Sequence, residues 1–146
     1  ILAETGFDAG SLELEITESM AMFNAERTMI VLRALKELGV HLSVDDFGTG
    51  YSSLSYLKQF SLNTLKIDRA FVHDLSAANN TAIAQAIIAL AHTLGLSVTA
   101  EGVETEEQLV FLCRHACDEA QGYFIGQPVP AHEFTRRYLS SFRGER

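Results

Sequence analysis

Two adjacent carboxylates, Asp45 and Asp46, stand before a loop that contains two glycines and several hydroxyl side chains. Neighbouring acids repel each other, so a fold keeps such a pair beside a cation or in a polar turn open to water. The pair could serve two divalent metal ions, with one carboxylate bridging them. Taken alone, Asp46-Phe47-Gly48 is equally typical of a turn.

Further ionisable side chains lie at the ends of four short segments in which apolar and polar residues alternate, as they do in β-strands. These segments are Leu12–Ile16, Leu42–Asp45, Leu65–Asp68 and Val98–Glu101, and a fifth strand is predicted near residues 119–123. One face of these strands should carry, near their carboxyl ends, Glu15, Asp45, Asp46, Lys66, Asp68 and Glu101, with Gln121 after the fifth strand. Glu15 or Lys66 alone is more often a solvated strand residue, but the repetition favours one shared site.

Five carboxylates near one point would raise one another's pKa values unless cations intervene. Oxygen ligands suit Mg²⁺ or Mn²⁺, and two such ions ~3.5–4 Å apart can clamp an in-line displacement at phosphorus. Lys66 could then hold or orient the attacking water. The pattern therefore predicts a metal-dependent site with two ions that acts on a phosphate ester.

The loop at residues 47–53 lacks the Walker and dinucleotide-binding patterns. We interpret it as a loop that closes over the metals, with Thr49 and Gly50 as supporting residues. Glu18 and Glu104 each lie three residues beyond a candidate ligand. Both are interpreted as supporting or helix-capping groups rather than ligands.

Predicted helices separate the strands, over residues 25–38 and 81–94, after a capping box at 105–108, and after Pro130. Alternating strands and helices predict parallel pairing, and polar strand ends converge when the sheet curls into an α/β barrel. A complete barrel has eight strands in roughly 250 residues. We therefore expect an incomplete barrel of about five strands, with about three more upstream of Ile1.

Composition narrows the function classes. The 146 residues are 47% hydrophobic and carry a net charge of −8 without a basic stripe, which argues against DNA as a partner. No apolar run approaches the ~18 residues of a membrane span, and Cys113 and Cys117 are interpreted as free thiols of a reducing cytosol. A cytoplasmic domain is expected, with membrane attachment of the parent through an upstream region left open.

Five motifs name a family: LELEITES (12–19), DDFGTGYSSL (45–54), LKID (65–68), AEGVET (100–105) and QGYFIGQPVP (121–130). In this order they resemble the later signature motifs of EAL domains, bacterial phosphodiesterases that linearise cyclic di-GMP. The resemblance implies a modified (β/α)₈ barrel with one antiparallel strand, and pGpG as product. Residues 1–146 then correspond to the C-terminal part of a single EAL domain.

The resemblance also implies roles for single residues. Glu15, Asp45 and Asp46 match the family's metal-binding acids, and Lys66 matches the lysine near the catalytic water. Glu101 matches the catalytic base or metal-coupled acid. Gln121 matches a supporting glutamine, and Glu18 matches the acid that anchors the loop after Asp46, a loop associated with metal binding and dimerisation.

The EAL tripeptide and the N-x-S motif, which supply further metal ligands in the family, do not occur in this sequence and are expected upstream. The matched positions are intact, which favours an active parent enzyme over a cyclic di-GMP receptor without turnover or a dimerisation module. The 146-residue piece alone should bind metal and hydrolyse poorly. A homodimer is expected, through the loop after Asp46 or the open barrel edge, and sensory or GGDEF domains are expected companions in the parent.

Overall fold

A computed structural model describes residues 1–49, 54–75 and 78–139 of the chain. Five parallel strands form one sheet, and their order in the sheet is their order along the chain. The strands are β1 (Glu13–Thr17), β2 (His41–Phe47), β3 (Thr64–Ile67), β4 (Ser97–Glu101) and β5 (Glu119–Gln121). The predicted parallel α/β sheet of five strands is confirmed.

Helices lie between consecutive strands, as parallel pairing requires. They are α2 (Glu18–Phe23), α3 (Ala25–Glu37), α4 (Leu54–Leu57), α5 (Arg69–His73), α6 (Ala78–Thr93) and α7 (Glu106–Arg114), while α1 (Leu2–Thr5) precedes β1 and α8 (Ala131–Phe134) follows β5. A 3₁₀ turn spans Ala9–Ser11, and α8 continues as a π-helix over Thr135–Leu139. No helix in these ranges is both long enough and apolar enough to cross a bilayer.

The outer face of the sheet is apolar and lies against the helices. Its buried strand residues are Leu42, Val44, Leu65, Ile67, Val98 and Ala100. Leu32 of α3, Ile87 and Ile88 of α6, and Leu112 of α7 belong to the same core cluster. Burial of these aliphatic side chains removes apolar surface from water and holds the helices to the sheet.

The opposite face carries the polar residues in matching register. Glu15 of β1 is paired with Ser43 of β2, Lys66 of β3 with Thr99 of β4, and Glu101 of β4 with Gln121 of β5. Side chains paired in this way on parallel strands point to the same side of the sheet. The fold therefore brings the predicted acids and the lysine to one face, near the carboxyl ends of the strands.

Candidate active site

Lys66 lies at the centre of the polar face. Its Nζ is 2.5 Å from Glu15 Oε1 on β1, 2.5 Å from Glu101 Oε1 on β4 and 3.7 Å from Asp45 Oδ1 on β2. Burial opposes the charge of this side chain, but hydrogen bonds to Glu101 and Glu15 raise the pKa of Lys66 above its ordinary value. The ammonium ion therefore persists at neutral pH and joins acids from three strands.

A bulge in β2 explains how both aspartates reach the same site. In the register with β3, the two residues Asp45 and Asp46 stand opposite the single residue Lys66. Asp46 has a φ of 55°, in the left-handed region, and its backbone N donates to Asp45 Oδ1 over 2.9 Å. Regular alternation would send adjacent side chains to opposite faces, whereas a bulge redirects one of them.

The carboxyl group of Asp46 lies among other acids of the site. Burial, the charge of Asp45 and hydrogen bonding to the Asp68 side chain raise the pKa of Asp46 above its ordinary value. Asp68 lies just after β3, which ends at Ile67, and its Oδ1 also accepts from Ala70 N over 2.8 Å at the start of α5. The predicted strand through Asp68 is thus one residue too long, because Asp68 caps the next helix.

Glu18 holds the start of the loop that follows β2. It is the first residue of α2, is 2% exposed, and its Oε2 accepts from Gly48 N over 3.0 Å. Thr49 Oγ1 donates to the Asp46 carbonyl over 2.8 Å. Gly50, which was also predicted to support the site, lies outside the described residues.

The remaining predicted residues lie at the ends of β4 and β5. Gln121 is exposed, is paired with Glu101 in the sheet register, and accepts through its carbonyl from Val103 N over 3.0 Å. Glu104 is exposed, and its backbone N donates to Gln108 Oε1 over 2.6 Å. The cap of α7 is formed by Thr105 and Gln108 and not by the Glu104 side chain.

Sequence reasoning missed two buried polar residues near the site. Ser43, on the polar face beside Glu15, is fully buried, and its Oγ has no hydrogen-bond partner among the described residues. Gln108 was recognised only as a helix cap, but its amide also reaches the last residue of α5. A small residue in a polar strand and a glutamine in a capping box carry no sequence signal of such placement.

The donor set fits a hard divalent cation. Asp45, Asp46, Glu15 and Glu101 offer carboxylate oxygens, the ligands that Mg²⁺, Mn²⁺ and Ca²⁺ prefer. The raised pKa of Asp46, beside Asp45 and Asp68, marks a place where a cation would relieve repulsion. In the described ranges no three acidic, His or Cys side chains are grouped tightly enough to hold an ion. The cluster therefore fits one part of a metal centre.

A parallel sheet flanked by helices, with acids gathered at the strand ends, places this chain in the class of α/β-barrel enzyme domains. The EAL domain model matches residues 1–128. The chain therefore belongs to the EAL domain family.

Two curated relatives come from Pseudomonas aeruginosa. The cyclic di-GMP phosphodiesterase NbdA is 50% identical over 141 residues, which cover 94% of this chain and 18% of NbdA. MucR, named a bifunctional diguanylate cyclase/cyclic di-GMP phosphodiesterase, is 47% identical over 133 residues, which cover 90% of this chain and 19% of MucR. The chain thus spans about a fifth of the length of either relative.

Solved structures agree on the fold. The PaMucR phosphodiesterase in complex with cyclic di-GMP superposes with a TM-score of 0.89 at 46% identity, over 91% of this chain and 54% of that chain. Klebsiella pneumoniae BlrP1 in its manganese and cyclic di-GMP complex gives a TM-score of 0.77 at 33% identity, over 84% of this chain and 32% of that chain. These neighbours are barrels of the TIM type, so the predicted fold class is confirmed.

Proposed function

We propose that this chain is part of a metal-dependent phosphodiesterase domain that hydrolyses cyclic di-GMP to linear pGpG. The observation that carries the proposal is the Lys66 ammonium held between Glu15, Asp45 and Glu101 at the carboxyl ends of three strands. NbdA, a relative that aligns over 94% of this chain, is named for that activity.

In the proposed site, Glu15, Asp45, Asp46 and Glu101 would hold two Mg²⁺ or Mn²⁺ ions, which supply a hydroxide nucleophile and stabilise charge on the leaving oxygen. The structures of BlrP1 with calcium or manganese and cyclic di-GMP support a divalent cation in the proposed site. The oxygen-only donor set of this chain is consistent with those ions.

The side chains of this chain contribute position and proton transfer. Lys66, kept charged by its carboxylate partners, can donate a hydrogen bond to the attacking water or to the phosphate. The Glu101 carboxylate lies 2.5 Å from the same ammonium and can accept the proton that the water loses. Glu18 fixes the loop after β2 through Gly48 N, which keeps the two aspartates in place.

Partners and context follow from the same comparisons. PaMucR binds cyclic di-GMP, and we propose the same ligand for this chain, with no role for DNA. The diguanylate cyclase activity in the name of MucR supports a GGDEF domain in the parent protein. A sensory domain and a cytoplasmic location are also proposed, the latter from the free thiols of Cys113 and Cys117. A homodimer is proposed through the loop after Asp46 or the outer edge of β1, which pairs only with β2 among the described residues.

The test uses the full-length protein that contains this chain. With Mn²⁺, the wild type should convert cyclic di-GMP to pGpG, measured by chromatography, and Glu101→Gln should lower kcat by about 100-fold or more while binding persists. Glu119→Gln is the matched control, because Glu119 is an acid on the same face at the amino end of β5. Its kcat should stay within about twofold of the wild type.

The outcomes separate the proposed enzyme from its alternatives. Binding of cyclic di-GMP by calorimetry without any turnover in the wild type would establish a receptor instead. Absence of both binding and turnover would leave a dimerisation module, whose mass in sedimentation would then be the deciding quantity.

A further inference from the structure

Gln108, in the first turn of α7, makes more contacts than a helix cap requires. Its side chain is buried, and its Oε1 accepts from Glu104 N over 2.6 Å and from Thr105 N over 3.0 Å. Its Nε2 donates to the carbonyl of His73 over 3.0 Å. The first two bonds belong to the turn that leads into α7, but the third reaches a different helix.

The elements joined by this amide are the continuations of two strands of the site. His73 is the last residue of α5, which begins two residues after Ile67 at the end of β3, the strand of Lys66. The turn at residues 102–105 directly follows Glu101 at the end of β4. Gln108 therefore links the turn just beyond the proposed proton acceptor to the last residue of α5, the helix that follows the strand of Lys66.

The same turn is fitted closely on its other sides. Gly102 has a φ of 70°, and a Cβ there would lie 2.5 Å from Arg69 Cβ at the start of α5. Val103 is fully buried, and a Cβ on Gly122 would lie 2.1 Å from its carbonyl oxygen. With backbone contacts toward α5 and β5, the turn leaves little room for Glu101 to shift independently.

We propose that Gln108 is a positioning residue that sets the placement of the Glu101 carboxylate against Lys66 by tying turn 102–105 to the end of α5. This inference rests on the proposed phosphodiesterase function for its kinetic consequence only. An ordinary capping box would bond only within its own turn. The bond from Nε2 to His73 is the feature that distinguishes positioning from capping.

Two variants of the full-length protein separate the two roles. Gln108→Glu keeps the acceptor oxygens, and glutamate is a normal capping-box residue, but the donor toward the His73 carbonyl is lost. Thr105→Ala removes the hydroxyl that accepts from Gln108 N and leaves the amide tether in place. The first variant cuts the tether and keeps the cap, and the second does the reverse.

Kinetics and amide hydrogen exchange should both follow the tether. Gln108→Glu is expected to lower kcat about 10-fold or more with KM within about twofold, because small misplacements of a reacting group are costly. It should also speed exchange in the peptides that cover residues 101–105 and the end of α5. Thr105→Ala should leave kcat within about twofold of the wild type and speed exchange only in α7.

The outcomes of these experiments support or overturn the positioning role of Gln108. Wild-type exchange at residues 101–105 and at the end of α5 in Gln108→Glu would overturn the proposal, as would a Thr105→Ala variant that reproduces the loss of kcat. If the wild-type protein does not hydrolyse cyclic di-GMP, the proposed function fails. The exchange pattern still decides whether Gln108 ties the two elements together.

Discussion

Neighbouring residues of one strand have different roles on the two faces of the sheet. Leu65 and Ile67 point outward and are fully buried among aliphatic side chains. Lys66 lies between them in sequence, points to the polar face and contacts carboxylates from three other strands. The outer face stabilises the fold by removing apolar surface from water, whereas the polar face gathers the charged groups of the proposed active site.

The two faces should therefore respond differently to amino-acid substitution. Outer-face truncation leaves a cavity that the surrounding helices cannot fill, so stability should fall with little effect on the local charge pattern. Substitution on the polar face changes the balance of charges. Stability should fall when a counter-charge is removed and rise when a surplus acid is removed. Functional sites often hold arrangements that the fold alone would not favour.

The largest effect on stability is expected from Leu65→Ala. Its side chain is fully buried in the outer face, and the change should lower the free energy of unfolding of the domain by about 3–4 kcal/mol. Urea unfolding measures the loss. The control is Leu38→Ala at the exposed end of α3, which should stay within about 0.5 kcal/mol. Equal losses in the two variants would contradict the assignment of the outer face as the core.

A smaller loss is expected from Lys66→Met, which keeps an unbranched side chain one heavy atom shorter and removes the charge. Breaking a fully buried ion pair costs about 3–5 kcal/mol, and partial exposure of Glu15 should reduce the loss to about 2–3 kcal/mol. Urea unfolding of the wild type and the variant at pH 7 measures the loss. Lys58→Met, at an exposed position of the chain, is the control and should change little.

The polar face could be predicted from sequence because alternation with a period of two is a property of any extended strand. Glu15, Lys66 and Glu101 are brought together as that alternation predicts. The bulge at Asp45 and Asp46 could not be predicted, since it exists only in the pairing of β2 with β3. The sequence motif identifies the pair of acids, and the strand register explains how both reach the site.

Tertiary placement limits the prediction in a second way. The spacing of Thr105 and Gln108 predicts a capping box, which is confirmed, because that motif is local in sequence. The bond from Gln108 to His73 spans 35 residues and depends on how α5 and α7 lie on the sheet. The capping of α5 by Asp68 is local, because its Oδ1 accepts from Ala70 N two residues further on, and it shortens β3 by one residue.

Asp46→Asn should change stability in the opposite direction from Lys66→Met. Burial, Asp45 and Asp68 raise the pKa of Asp46, so the folded state disfavours its ionised form, and the neutral amide should raise the free energy of unfolding at pH 7 slightly, since solvent screens this largely open group. Asparagine also tolerates the left-handed backbone at this position. The gain should disappear at low pH, where the wild-type carboxyl is neutral too.

Mn²⁺ binding and hydrolysis by the same Asp46→Asn variant should fall, since an amide is a weaker ligand for a hard cation than a carboxylate. Urea unfolding from pH 3 to pH 7, together with Mn²⁺ titration, measures both effects. A variant that is less stable than the wild type at pH 7 would show that the inner-face acids do not strain the metal-free fold.

The smallest effect is expected at the amino ends of the strands, outside both faces. Asp118 Oδ2 accepts from Val98 N over 2.8 Å and lies 2.9 Å from His92 Nε2, and the hydrogen bond with His92 lowers the pKa of Asp118. Because a lowered carboxyl pKa contributes stability above the unfolded value near 4, the contribution should be full above about pH 5 and be lost as the pH falls through the folded pKa.

Asp118→Asn should cost less than about 1 kcal/mol at pH 6, since both side chains are partly exposed and solvent screens the pair. Urea midpoints of wild type and variant at pH 3, 5 and 6 measure this difference, and a cost equal to that of Leu65→Ala would mean that the strand ends, and not the outer face, dominate stability.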